Sequence, residues 1–231
     1  MNRPQAGDYI DIHNHDSQSQ EGVFILDTLM AHEGREPLDR LGIAFSAGMH
    51  PWFLTEENRY LLMDYIVRNA GNRNVIAIGE AGYDKLKGPS LSLQESVFEE
   101  QAVISEKYLK PLVIHCVKAW DELLASHKRL RPSMPWLIHG FRGSKELGSQ
   151  LVNRGMYLSF WFDFVLRPES AELLRSIPRE RIFFETDGSG VSITDIYRKA
   201  AGDLGTGVDE LKSIILGNFN TFFKPVMLTT E

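Results

Sequence analysis

The sequence predicts an α/β chain folded as a (β/α)8 TIM barrel, somewhat distorted, with its first helices reduced. Three observations carry this. Eight short apolar, β-prone runs recur along the 231 residues, at 9–13, 23–26, 43–47, 75–78, 111–115, 136–139, 156–160 and 181–185. Amphipathic stretches separate the later runs, and strands alternating with helices imply parallel strands joined by right-handed crossovers. Histidines and carboxylates follow the runs in an ordered series, where a barrel of parallel strands opens its active-site face.

Taken in order, the first third is irregular. Nine residues separate His13 from Val23, too few for a crossover helix of about a dozen residues. Gly34 and Pro37 interrupt the segment 30–42, so any helix there is short. The later helical patterns are 56–70, with Tyr60, Leu61, Met63 and Ile66, and 92–109, with Phe98, Ala102, Ile104 and Leu109 inward. Shorter ones lie at 120–130, 144–154 and 168–176, and a last one at about 209–223. An open doubly wound sheet is the alternative, but candidate ligands at so many strand ends favour closure. No repeat, low-complexity tract or linker divides the chain, so one domain over 1–231 is expected.

A hydrophobic content of 43% and a charged content of 24% describe an ordinary globular chain able to bury a large core. The N-terminal residues are polar, with no apolar secretory stretch, and no run is long enough to span a bilayer. One cysteine, Cys116, excludes an intramolecular disulfide and fits a reducing compartment, so a cytoplasmic location is expected. The formal net charge of −6 argues against a protein that coats nucleic acid with a broad basic face. It does not exclude a nuclease, because bound divalent cations supply their own local positive charge.

Six residues form the candidate metal set: His13, His15, Glu80, His115, His139 and Asp187. Imidazoles and carboxylates are the groups that zinc, manganese or magnesium take in hydrolytic sites. Six exceed what one tetrahedral ion needs, so two divalent metal ions sharing a carboxylate is the natural reading. His13 and His15 share a face by strand alternation, with Asp11 on the same parity as a brace. Chance would otherwise make such a pair a polar strand end. Glu80 ends an apolar run, where a carboxylate is costly unless it is metal-bound or paired with Lys85 or Lys87. His115 and His139 follow neighbouring apolar runs, and singly each would read as a core histidine. Cys116 has the opposite parity and reads as packing.

Asp187 closes the series and is a candidate to accept a proton from an activated water. With Glu80 it forms the candidate catalytic pair, and Glu185 is a bracing partner or a core ion pair. His50, in Gly-Met-His-Pro51, faces the site mouth or holds its own loop. Lys118 and Arg142 lie just beyond His115 and His139 and are candidates to hold an anionic substrate group, with solvated rim charge as the plain alternative. His32 and His127 read as surface residues. Trp52, Phe53, Trp161 and Phe162 either stack on bases or pack between loops, and packing is preferred.

Read together, Asp11-Ile-His-Asn-His15, Gly48-Met-His-Pro51, Ile78-Gly-Glu-Ala-Gly-Tyr-Asp84, Ile114-His-Cys116, Ile138-His-Gly-Phe-Arg-Gly143 and Glu185-Thr-Asp187 resemble the TatD family of metal-dependent deoxyribonucleases, within the amidohydrolase-like barrels. Gln94, Phe98, Gln101, Asn218 and Phe222 extend the match over nearly the whole chain. The resemblance implies a two-metal barrel hydrolase that cleaves phosphodiester bonds. It implies one ion on His13, His15, Glu80 and Asp187, and another on Glu80, His115 and His139. The chain departs from the family pattern at Val117, where members commonly carry arginine, and at Gly188-Ser-Gly-Val191, where they commonly carry a proline-containing loop.

The expectation is therefore a metal-dependent hydrolase, a nuclease with DNA or RNA ends as substrate and with no membrane or obligate protein partner. Two alternatives keep the same ligands: a hydrolase of a small amide, lactone or phosphate ester, and a non-catalytic metal-stabilised binding protein.

Overall fold

The computed structural model describes residues 2–228. Met1 and residues 229–231, which the single-domain expectation includes, lie outside the described residues. Eight parallel strands pair in chain order: β1 (Tyr9–Asn14), β2 (Val23–Met30), β3 (Ile43–Gly48), β4 (Val75–Asp84), β5 (Leu112–Val117), β6 (Trp136–Phe141), β7 (Tyr157–Phe160) and β8 (Ile182–Phe184). Every residue of β2 and β4 is buried. That is why their first halves, 23–26 and 75–78, read as continuous apolar runs: a parallel strand covered on both faces has no solvent side to alternate toward.

The barrel is nearly closed. At the seam, Asp187 N donates to His13 O at 3.1 Å. The Asp11 carboxylate accepts from Thr186 N at 3.0 Å and from the Thr186 hydroxyl. Asp11 thus ties β1 to the end of β8, rather than bracing a histidine as the parity reading expected.

The helices are α1 (Arg59–Ala70), α2 (Leu91–Tyr108), α3 (Trp120–Leu130), α4 (Lys145–Val152), α5 (Phe162–Val165), α6 (Ser170–Ser176), α7 (Ile193–Leu204), α8 (Val208–Phe222) and α9 (Lys224–Leu228). The first of them follows β3, so β1–β2 and β2–β3 connect by turns, as the short spacing predicts. Ser90 starts α2 by accepting from Leu93 N, and Leu109 ends it in the left-handed conformation. Acidic Asp121 and Glu122 open α3 while Lys128 and Arg129 close it, matching the helix dipole.

The sequence reading left out α7. Its buried Ile193, Ile196, Tyr197, Ala200, Ala201 and Leu204 recur at helical spacing and pack it on the seam. There the Tyr197 hydroxyl accepts from Ile10 N at 3.1 Å and donates to Ile10 O at 3.0 Å. A side chain of the helix thus partners the main chain of β1 where β8 is short.

Buried amides fix the loops that carry the site. Gln101 holds both main-chain groups of Met49, at 2.8 and 3.1 Å. Gln94 does the same for Asp84, at 2.7 and 3.0 Å. Asn218 on α8 donates to Arg179 O and Ile182 O, at 2.8 and 2.9 Å, anchoring the start of β8.

Candidate metal centre

Glu80 lies within β4, not at its end as the apolar run suggested; the strand continues to Asp84. Two glycines make this possible. A Cβ on Gly79 (φ +123°) would sit 2.3 Å from Val113 O, and one on Gly82 (φ +152°) would sit 1.9 Å from His115 O. Only glycine lets β4 run this close to β5. Glu80 is thereby pushed into the barrel mouth at 2% exposure, surrounded by imidazoles. Neither lysine of the ion-pair alternative reaches it: Lys85 pairs with Glu122 at 2.8 Å, and the Lys87 ammonium lies 3.7 Å from the centre of the Trp52 ring.

The two oxygens of Glu80 face different partners. Oε1 lies 2.7 Å from His139 Nε2, 3.0 Å from His115 Nδ1 and 3.1 Å from His50 Nε2. Oε2 lies 3.4 Å from His13 Nε2 and 3.9 Å from His15 Nε2. Asp187 Oδ1 stands beside the second group, 3.2 Å from His15 Nε2 and 3.5 Å from His13 Nε2. The structure therefore brings together all six residues of the candidate metal set.

Nitrogen and oxygen atoms of these residues fall into overlapping groups that fit a cation, among them His13, His15 and Asp187, and His13, Glu80 and His139. His13 Nε2 is buried with no hydrogen-bond partner, although it points at two carboxylates. A buried imidazole nitrogen left in that state among carboxylate oxygens fits a divalent cation as its partner.

Two groups behind the imidazoles orient them, and a third, Glu185, stands close to His139. The Thr28 hydroxyl lies 3.2 Å from His13 Nδ1, leaving Nε2 to face the centre. Glu185, fully buried, places Oε1 3.5 Å from His139 Nδ1 while its other oxygen accepts from the Ser159 hydroxyl. Asp84 Oδ2 lies 3.1 Å from His115 Nε2 and accepts from Trp52 Nε1 at 2.6 Å. A carboxylate or hydroxyl on one ring nitrogen sets the tautomer and raises the basicity of the other. Thr28 and Asp84 had no role in the sequence reading. The signal for Asp84 was there: it is four residues beyond Glu80 on the same strand, and so on the same parity.

His50 is different. It is buried, and its Nδ1 accepts from Trp52 N at 3.1 Å. Burial lowers its pKa against the opposing pull of Glu80, so the ring is neutral near pH 7. A neutral imidazole that accepts at Nδ1 carries its proton on Nε2. The nitrogen beside Glu80 therefore offers a hydrogen and has no lone pair for a metal. Both earlier alternatives for His50 hold at once: it pins its own loop and points into the site.

The charges support one another. Burial pushes the Glu80 carboxyl up, but His139 and His50, together with the neighbouring His115 and His13, more than reverse this and hold it well below the usual range. Burial and His139 push His13 down, yet its contacts with Asp187 and Glu80 win and raise it to about 9. Burial lowers His139 too, and Glu80 with Glu185 carry it well above the ordinary value. Burial raises Asp187, and His13 and His15 bring it below the ordinary carboxylate value. The pocket of carboxylates thus favours positive charge, which is what a cation site requires.

Lys118 and Arg142 lie on the rim of a groove of about 290 Å3 that begins at His115 and His139 and is also lined by Trp120 and Trp161. The Arg142 guanidinium carbon lies 4.6 Å from the centre of the Trp161 ring. Cys116 is half-buried in the same wall, its thiol pushed up by burial and held un-ionised. Phe53 stacks on His32 at 3.7 Å, a packing contact between loops.

A family model described as TatD related DNase matches residues 30–224. The deoxyribonuclease Tat-D of Schizosaccharomyces pombe is 30% identical over 135 residues, 54% of this chain and 43% of that protein. The 3'-5' ssDNA/RNA exonuclease TatD of Salmonella typhimurium is 32% identical over 164 residues, 67% of this chain and 61% of that protein. The chain therefore spans less than two thirds of the length of either relative. Among solved structures, the TatD homologue YjjV of Escherichia coli K12 superposes with a TM-score of 0.79 at 20% identity, covering 95% of this chain and 99% of that one. That likeness speaks for the barrel. With the family model spanning most of the sequence, the chain belongs to the TatD-related DNase family.

Proposed function

We propose that the protein is a two-cation nuclease that hydrolyses phosphodiester bonds at single-stranded DNA or RNA ends, with the whole chain, 1–231, acting as one barrel domain. The observation that carries this is the division of Glu80: one oxygen faces His13 and His15, the other His115 and His139. A carboxylate so placed is suited to be shared between two ions. In this reading His13, His15, Glu80 and Asp187 would hold one divalent cation, and Glu80, His115 and His139 the other. Four imidazoles with two carboxylates favour zinc or manganese over magnesium.

Divalent cations bound there would supply a lowered pKa for water and offset charge on phosphoryl oxygens. The protein's own groups do the rest. Asp187, ionised and held beside His13 and His15, receives the proton of the attacking water. Glu80 fixes the spacing of the two ligand groups. His50 keeps its Nε2–H 3.1 Å from Glu80 Oε1, and with a cation on that oxygen the N–H would become available to a phosphoryl oxygen of the substrate. Lys118 and Arg142 hold the anionic substrate on the rim.

A cytoplasmic location fits a chain whose single cysteine is free. No helix among the described residues is long and apolar enough to cross a membrane.

The test is turnover of single-stranded oligonucleotides by D187N and H115A after metal loading. Both lose at least about a hundredfold in kcat, while circular dichroism and melting show the barrel retained. Retained cleavage in either folded variant contradicts the assignment. Hydrolysis of small esters or lactams with oligonucleotides intact selects the small-molecule alternative instead.

A further inference from the structure

Two depressions flank Glu80 at the barrel mouth, and they differ in charge. The one on the β8–β1 side, about 410 Å3, is walled by groups such as Asn14, Ser17, Gln20, Thr186 and Ser192, with no lysine or arginine among the described residues that line it. The one over β5, β6 and β7, about 290 Å3, runs from His115 and His139 past Lys118 and Arg142, and its described lining has no carboxylate. In a chain of net charge −6, a wall with cations and no acid beside a carboxylate-rich centre stands apart from the average surface.

The cations are also placed with respect to the centre. Trp161 lies against Gly140, the residue after His139: a Cβ there would come 3.0 Å from the ring. Arg142 lies over that same ring. A guanidinium resting on an aromatic face keeps its N–H edges for other partners, and those edges match two oxygens of a phosphate. Lys118 follows His115 by three residues in a left-handed conformation (φ 57°), which turns the chain sharply at the groove. Among the described residues no carboxylate pairs with Lys118 or Arg142.

We propose that this groove binds the phosphate adjacent to the scissile one, so that the strand remaining after cleavage lies across β5, β6 and β7. The inference rests on the nuclease reading and adds a requirement to it: efficient substrates carry at least two backbone phosphates. Arg142 and Lys118 contact the second phosphate, and Trp161 is a positioning residue for Arg142.

The experiment compares kcat/KM of the metal-loaded protein on a dinucleoside monophosphate, whose single phosphate is the scissile one, and on a trinucleoside diphosphate. The wild type favours the longer substrate by about tenfold or more, the scale of one charge-assisted hydrogen bond. The ratio collapses toward unity in K118A/R142A and in W161L, survives in W161F, and is unchanged in K128A, a charge control at the far end of α3. Equal rates in the wild type, or a preference that survives K118A/R142A, overturns the proposal.

A second measurement separates this failure from failure of the nuclease reading: fluorescence anisotropy of labelled oligothymidylate with metal-stripped protein. Binding that weakens in K118A/R142A, with no cleavage of either substrate, upholds the groove as a phosphate site and contradicts the nuclease. Absence of both contradicts both.

Discussion

Glu185 acts at this site through a neighbour. It is fully buried, and one oxygen lies 3.5 Å from His139 Nδ1, so its charge helps hold His139 in place beside the centre. E185Q is expected to weaken divalent-metal binding by about 10–100-fold, the usual cost of losing such a brace. Calorimetric titration of zinc or manganese reads it directly, and unchanged affinity would show that Glu185 serves packing alone. That the six candidate residues meet was legible because parallel strands all deliver their last residues to one rim, so a His or Glu after each apolar run arrives at a common place. The bracing residues were harder to see. Thr28 carries no sign of its role in sequence, and Asp84 depends on β4 continuing through two glycines that look like a strand end. His50 shows the limit of counting donors: its place in the cluster suggests a ligand, and only the hydrogen bond from Trp52 N excludes one.

At the scale of elements, β8 is three residues long, and the seam to β1 relies on side chains and on α7. Tyr197 is fully buried and satisfies both main-chain groups of Ile10. Y197F removes that partner without changing the packing shape, and is expected to cost about 1–3 kcal/mol, the price of two buried groups left unpaired. Denaturant unfolding measures it; a change within error would mean that the seam finds another partner. The sequence showed the strands better than their ends. β2 and β4 extend well past their apolar runs because polar residues such as Asp27, Thr28 and Asp84 are buried within them and satisfied there. The pattern of α7 follows a glycine-rich turn after Asp187, which hides where its helical periodicity begins.

For the whole molecule, the net charge of −6 conceals an uneven arrangement. Carboxylates converge on the barrel mouth, where cations are expected, and the lysine and arginine of the adjoining groove come from loops far apart in sequence. Composition reports only the sum, which is why the substrate face was less legible than the metal set. The barrel's closure, by contrast, followed from the number of strand-end ligands. The central claim is that two cations on either side of Glu80 make a nuclease. It is tested most directly by adding manganese in steps to metal-stripped protein and following cleavage of end-labelled single-stranded DNA. Cleavage that stays low through the first equivalent per chain and rises with the second is the predicted result. Full activity at one equivalent would contradict the shared carboxylate, and intact DNA at every loading would contradict the nuclease.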